Sequence, residues 1–90
     1  MKTEVKTVTP EIAKEMLKRN HGNRNASDRH VEFLAEQMKS GRWIFDGQPI
    51  RFNENGRLLD GQHRLNAVVE ANKPIDFLVI TGIDSKAFKV

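Results

Sequence analysis

The sequence predicts a small α+β domain in which about three helices pack against a mixed sheet that includes a β-hairpin. Three observations support this fold class. Apolar residues recur at helical spacing in three stretches, and four short stretches are rich in strand-forming residues. An Asn-Gly pair at residues 55–56 marks a hairpin turn between two of those strands. Ninety residues suffice for one such domain, residues 1–90, with a modest core.

The first strand is predicted at residues 4–8 and leads directly into a helix. Thr9 is suited to cap that helix, and Pro10 to occupy its first position. The helix is expected to end near Asn20, because residues 21–23 (His-Gly-Asn) are typical of a turn. Its apolar stripe consists of Ile12, Ala13, Met16 and Leu17.

A second helix is predicted to begin after Ser27-Asp28 and to end at Ser40-Gly41. It carries an apolar stripe at i, i+3, i+4 and i+7 spacing. Trp43 and Phe45 follow it, and at least one is expected to anchor the core. The residues of the stripe are Val31, Leu34, Ala35 and Met38.

The second half of the chain is predicted to form a hairpin, a helix and a strand. The hairpin consists of a strand at residues 48–52, with Ile50 and Phe52 facing inward, and a return strand at 57–59. The third helix is expected at residues 62–71, ended by Pro74. Residues 75–81 predict a central strand and residues 82–84 a turn, and residues 85–90 have no clear assignment.

Composition excludes some classes of function. The chain has no cysteine, which excludes disulfides and thiolate chemistry and favours a cytoplasmic setting. No signal-peptide-like or membrane-spanning run is present in the sequence. Residues 18–30 carry an excess of three positive charges, which equals the net charge of the whole chain, +3. This segment is either a solvated loop or a contact for the phosphates of a ligand or nucleic acid. Its charged residues are Lys18, Arg19, Arg24, Asp28 and Arg29.

Residues 60–65 (Asp-Gly-Gln-His-Arg-Leu) join the hairpin to the third helix and form the candidate site. Gly61 permits close approach of a ligand, and the N–H groups that open a helix are suited to binding an anion. Gln62, His63 and Arg64 would supply these N–H groups, and Arg64 a charged fork. Asp60 could orient His63 or Arg64, bind a sugar hydroxyl or hold Mg²⁺.

Other interpretations of the same turn stay open on the residues alone. His63 could act as a general acid or base with Asp60 nearby. His63 could also bind a metal with His21 or His30, although the histidines lack typical ligand spacing. Alternatively the turn is structural, with Asp60 capping the third helix, Gly61 serving the turn, and His63 and Arg64 as ordinary surface residues.

The turn, the hairpin before it and Ala67 after it resemble the signature turn of the ParB/sulfiredoxin-like superfamily. Its members carry a Gly-Glu-Arg-Arg form in ParB proteins and a Gly-Cys-His-Arg form in sulfiredoxin, and DndB-like proteins carry the Asp-Gly-Gln-His-Arg string itself. Phage and plasmid ParB-like proteins resemble this chain most in the order of their motifs along the sequence. They share Asn23-Arg24, a helix, residues 41–43 (Gly-Arg-Trp), a short hairpin and the turn, so the resemblance covers roughly residues 23–82.

The resemblance implies a nucleotide or phosphate site. The turn binds CTP in ParB, ATP in sulfiredoxin and ADP in free-serine kinases of this fold. Carried over to this chain, Gly61, His63 and Arg64 would hold phosphates, Arg24 would assist, and Asp60 would shape the turn. The implied cofactor is a nucleoside triphosphate, CTP or ATP, with Mg²⁺.

The chain departs from the family pattern in ways that narrow its function. Without cysteine, sulfiredoxin chemistry is excluded, and His63-Arg64 replaces the Arg-Arg of ParB. The helix-turn-helix domain of ParB does not follow, and the chain ends soon after Asp84 where longer relatives continue, so a truncated or minimal version is expected.

Three functions follow as hypotheses. The first is a module that binds nucleotide or DNA phosphates in phage or plasmid DNA transactions. The second is a ParB-like nuclease or nucleotide hydrolase with His63 or Asp60 as catalytic residue. The third is a small phage-encoded inhibitor of a host system. The expected partner is a nucleotide or DNA, and a second copy of the chain or a host protein is a further possible partner. No membrane association is expected.

Overall fold

A computed structural model describes residues 1–20 and 27–88 of the chain. Within them lie four strands, three α-helices and one 3₁₀ helix, and the α+β prediction is confirmed. The chain order is β1 (Lys2–Val8), α1 (Pro10–Leu17), α2 (Asp28–Lys39), β2 (Pro49–Asn53), β3 (Leu58–Asp60), α3 (Gln62–Ala71), β4 (Ile75–Ile83) and the 3₁₀ helix Ser85–Phe88.

The strands form one mixed sheet in the order β1-β4-β2-β3. β4 pairs antiparallel with β1 and parallel with β2, and β2 and β3 form the predicted antiparallel hairpin. β4 is therefore an inner strand, as predicted. The hairpin turn is closed by a Gly56 N–H to Asn53 carbonyl bond of 3.0 Å, and Gly56 has φ +81°. The Asn53 side-chain oxygen also accepts the N–H groups of Asn55 and Arg57.

The core lies between one face of the sheet and the three helices. By strand register Ile50, Phe77, Val79 and Val8 lie on this face, and all four are buried. The inward positions of Ile50 and Phe52 are confirmed, at 0% and 2% exposed. β3 contributes Leu58, and the helices contribute the remaining core side chains: Ala13, Met16, Val31, Ala35, Met38, Leu65, Ala67, Val68 and Ala71.

Trp43 is the aromatic anchor expected after α2. Its ring meets Phe77 edge to face at 6.0 Å between centroids and packs against the core. Phe45 is 48% exposed and Ile44 is 79% exposed, so within the apolar run after α2 only Trp43 is partly buried.

The prediction that α1 reaches Asn20 is wrong, because the helix ends at Leu17. The N–H groups of Lys18, Arg19 and Asn20 bond to carbonyls three residues earlier, so the backbone leaves the α-helical ladder before the predicted end. The predicted turn at residues 21–23 lies outside the described residues.

Several strand boundaries also differ from prediction. β4 continues through Gly82 and Ile83, where a turn was predicted, because Ile83 still pairs with Asn53 of β2. β1 begins at Lys2, opposite Thr81 of this longer β4. The strands of the hairpin, β2 and β3, each lie one residue later than predicted.

In the described ranges, no helix has the length and apolar character needed to cross a membrane.

Candidate functional site

The predicted turn connects β3 to α3 through Gly61. Gly61 has φ +111° and ψ 7°, a left-handed conformation that side chains disfavour. A Cβ at this position would overlap Ile50 Cδ1 and lie 3.3 Å from Ile50 Cγ2. Gly61 is therefore required both by its backbone and by the close approach of β2.

Gly61 is the N-cap of α3 and has no side chain to cap it, so the alternative in which Asp60 caps this helix is wrong. The first backbone hydrogen bond of the helix runs from the Leu65 N–H to the Gly61 carbonyl, at 2.9 Å. The N–H groups of Gln62, His63 and Arg64 come before this bond in the chain and lie at the N-terminal end of the helix. They are the backbone donors that a ligand at this end of α3 would meet.

Arg64 faces the protein interior and is 9% exposed. Its two terminal nitrogens donate to the backbone carbonyls of Gln48 at 2.8 Å and Pro49 at 2.9 Å. Arg64 therefore fastens the start of α3 to the segment that enters β2. A guanidinium has five N–H donors, so three remain after these bonds, and the phosphate-binding role of Arg64 stays a prediction.

Asp60 lies between two arginines. Its Oδ2 is 3.1 Å from Arg51 Nη2, and its Oδ1 is 3.8 Å from Arg64 Nη2. Burial lowers the pKa of Arg64, and the negative charges of Asp60 and Asp46 partly oppose that shift. Arg64 stays charged because an arginine pKa lies far above neutral pH. The hydrogen bond of Asp60 is thus with Arg51, and its contact with Arg64 is an ion pair without a hydrogen bond.

His63 lies next to the beginning of α2. Its Nε2 accepts the Ser27 N–H at 3.1 Å, and its ring meets that of His30 edge to face at 4.8 Å between centroids. His30 is in the first turn of α2 and His63 in the first turn of α3. The N-terminal ends of two helices therefore meet at this point.

Burial lowers the pKa of His63 from its ordinary value of 6.5, and the neighbouring His30 lowers it further. A neutral imidazole is also what the Ser27 contact requires, since a protonated Nε2 cannot accept a hydrogen bond. His63 is therefore uncharged at neutral pH in the absence of a ligand.

This pKa shift predicts how stability depends on pH. Between the folded pKa and 6.5 the unfolded chain binds more protons, so the free energy of unfolding should fall as pH drops through this interval. Above pH 6.5 the His63 imidazole is neutral in both the folded and the unfolded chain, so His63 should no longer make stability depend on pH. Urea unfolding at a series of pH values measures this, with His63→Gln as the matched variant because glutamine can still accept the Ser27 N–H. Parallel pH profiles for wild type and variant would contradict the assignment.

A cavity of about 510 Å³ opens in front of the turn. Its lining is mixed, because the polar residues of the turn and His30 share it with the apolar residues Leu34, Trp43, Leu58 and Leu59. Its volume lies within the range of small-molecule sites. The lining residues are His30, Leu34, Trp43, Asp46, Gln48, Leu58, Leu59, Asp60, Gly61, Gln62, His63 and Arg64.

All four residues predicted for phosphate binding in the turn, Gly61 to Arg64, line this one cavity. Arg24, the fifth, and His21 lie in residues 21–26, outside the described residues. In the described part of the chain no group of three or more histidine and carboxylate side chains is placed to hold a metal.

Sequence reasoning missed the role of Arg51 as the partner of Asp60. The hairpin pattern did not carry that signal, because Phe52 pairs with Leu58 and only a register shift between Arg51 and Phe52 brings Asp60 opposite Arg51. The pairing of His30 with His63 had no signal in the sequence either, since it depends on how α2 packs against α3.

Comparisons with protein families, curated proteins and solved structures gave no match to the chain. The ParB/sulfiredoxin-like assignment therefore stays a prediction.

Proposed function

We propose that this cavity binds the phosphate groups of a nucleotide or nucleic acid, in the phage or plasmid DNA transactions that the ParB-like resemblance implies. The observation that carries the proposal is the meeting of the first turns of α2 and α3 at one cavity. Each helix presents the positive end of its dipole there, and α3 adds N–H groups that precede its ladder. This arrangement is suited to a phosphate ligand.

The fixed charges of the site are balanced, which shapes how an anion would bind. Arg51 and Arg64 are matched by Asp60 and Asp46, so attraction comes from the helix dipoles and, once its imidazole is protonated, from His63. A bound phosphate would favour the charged imidazole and raise the His63 pKa. Affinity is therefore expected to increase as pH falls through the pKa of His63.

The apolar part of the cavity lining favours a nucleotide over inorganic phosphate. Leu34, Trp43 and Leu59 are partly exposed and line the same cavity as the polar turn, and Trp43 contributes an aromatic ring. A ligand with one anionic end and one apolar, planar end can contact both the polar and the apolar residues of the lining. A nucleoside triphosphate has this character.

The proposal is one of binding rather than turnover. Asp60 is held by two arginines, and His63 Nε2 accepts the Ser27 N–H. A Mg²⁺ ion would need oxygen ligands. Because Asp60 is already paired, such an ion would be held largely by the phosphates of the ligand.

Calorimetric titration with CTP, ATP, ADP and inorganic phosphate, with and without Mg²⁺, tests the proposal. Gln62→Glu is the informative variant because it adds a negative charge at the start of α3, where acidic residues favour the helix. Its expected effect is a loss of nucleotide affinity of roughly tenfold without loss of stability. Asn55→Asp adds the same charge on the hairpin turn, away from the cavity, and should leave affinity unchanged.

Two results would overturn the proposal. The first is wild-type protein that binds none of these ligands at either acidic or neutral pH. The second is binding that Gln62→Glu and Asn55→Asp weaken equally, because the ligand would then respond to overall charge rather than to this cavity.

A further inference from the structure

β1 forms one edge of the sheet. The strand order places it beside β4 on one side only, and within the described ranges no strand pairs with its other side. Six of its seven residues are exposed, and Val8 is the buried one. Its outer edge therefore presents backbone N–H and C=O groups to any strand that can align with them.

The side chains of β1 divide between the two faces of the sheet. Glu4 and Lys6 pair with Val79 and Phe77 and so lie on the helix-covered side, yet both are exposed. Val5 pairs with Leu78 on the opposite face and is 65% exposed. A well-exposed valine at the middle of an edge strand is the position at which a paired strand would bury apolar area.

We propose that β1 pairs antiparallel with β1 of a second copy of the chain, about a two-fold axis at Val5, to form a continuous eight-stranded sheet. A two-fold axis perpendicular to the sheet brings each residue opposite one on the same face. With the axis at Val5, all seven residues of Lys2–Val8 find a partner. Val5 then meets Val5, and Glu4 meets Lys6 twice.

The charge pattern selects this register against its neighbours. Moving the axis to Glu4 places two glutamates opposite each other and Lys2 opposite Lys6. Moving it to Lys6 places two lysines opposite each other and leaves Glu4 opposite Val8. Like charges directly across a strand pair destabilise it, and opposite charges stabilise it. The self-complementary order Glu-Val-Lys is the argument for a second copy as the partner.

The expected association is concentration-dependent. One strand pair buries less area than the roughly 1,200–2,000 Å² of a stable interface, so monomer and dimer should exchange. The two Glu–Lys pairs lie at the surface, so the dimer should weaken as salt increases.

Sedimentation velocity over a concentration series, up to the solubility limit, tests the proposal with four samples. Wild type should dimerise, and Glu4→Lys or Lys6→Glu alone should weaken the dimer about tenfold because each variant creates two like-charge pairs. An equimolar mixture of the two single variants should regain wild-type affinity, since the all-lysine edge then meets the all-glutamate edge. The double variant E4K/K6E should also dimerise as wild type does.

Circular dichroism and thermal unfolding check that each variant folds, and the exposure of both side chains predicts that it does. Recovery in the mixture and in the double variant would establish this register, because a loss of folding could not be restored in that way. Wild-type protein that stays monomeric at every concentration overturns the proposal. A dimer whose affinity is changed by neither Glu4→Lys nor Lys6→Glu overturns it as well.

Discussion

Replacing Arg64 by alanine is expected to destabilise the fold by about 3 kcal/mol, the scale at which removing one partner of a buried charged network acts. The variant loses two hydrogen bonds to the carbonyls of Gln48 and Pro49, and it removes a positive charge beside Asp60. Urea unfolding followed by circular dichroism measures the loss. Arg64→Lys should recover part of it, because an ammonium group cannot reproduce the planar fork that spans both carbonyls.

Arg57→Ala is the matched control because Arg57 is exposed on the hairpin. Its loss should change stability by less than about 0.5 kcal/mol. A similar, small effect of Arg64→Ala would contradict the structural role assigned to this side chain. The expected instability also means that Arg64 is a poor choice for testing ligand binding, since a weaker fold would mimic a lost contact. Gln62→Glu avoids that ambiguity.

Gly61→Ala is expected to destabilise the protein by about 2–4 kcal/mol, from backbone strain at positive φ and from overpacking. The new methyl group would overlap Ile50, whose side chain is fully buried and has little room to move. Thermal unfolding would show this as a large decrease in the melting temperature. The predicted loss of stability therefore has two sources, the backbone strain and the clash with Ile50, which a second variant can separate.

Gly47→Ala separates them. Gly47 has φ +80°, but a Cβ there would meet no atom within 4 Å. Its replacement should therefore cost about 1 kcal/mol, the backbone contribution alone. The clash assigned to Gly61 is wrong if the two alanine variants lose equal stability. A double variant with Ile50→Val, which trims the side chain that obstructs the methyl group, should recover part of the difference.

Local signals predicted the elements of this fold well. α3 has the predicted bounds because a glycine before it and Asn72 and Pro74 after it interrupt the helical pattern at both ends. α2 begins at its predicted cap, where the Ser27 hydroxyl accepts the His30 N–H. By contrast, the ends of α1 and β4 depend on tertiary pairing, which no local pattern records.

The turn at residues 60–65 was singled out from the sequence, but the burial of Arg64 was not anticipated, although helical spacing carried that information. Positions 64, 68 and 71 lie on one face of α3 at i, i+4 and i+7, and Val68 and Ala71 are apolar. Arg64 is buried on that face and bonds to backbone carbonyls. The position of Arg64 in the helical pattern therefore predicts its burial, and its role in phosphate binding stays a prediction.

The contact between Ser27 and His63 links two segments that are 36 residues apart. One lone pair on Nε2 can hold either the Ser27 N–H or a proton, and the two compete for it. Any partner that favours the imidazolium form of His63 must release the backbone at Ser27, the residue from which α2 begins. By thermodynamic reciprocity, holding Ser27 in place opposes that protonation by the same free energy. Proton uptake at one helix and backbone attachment at the other are thus a single equilibrium.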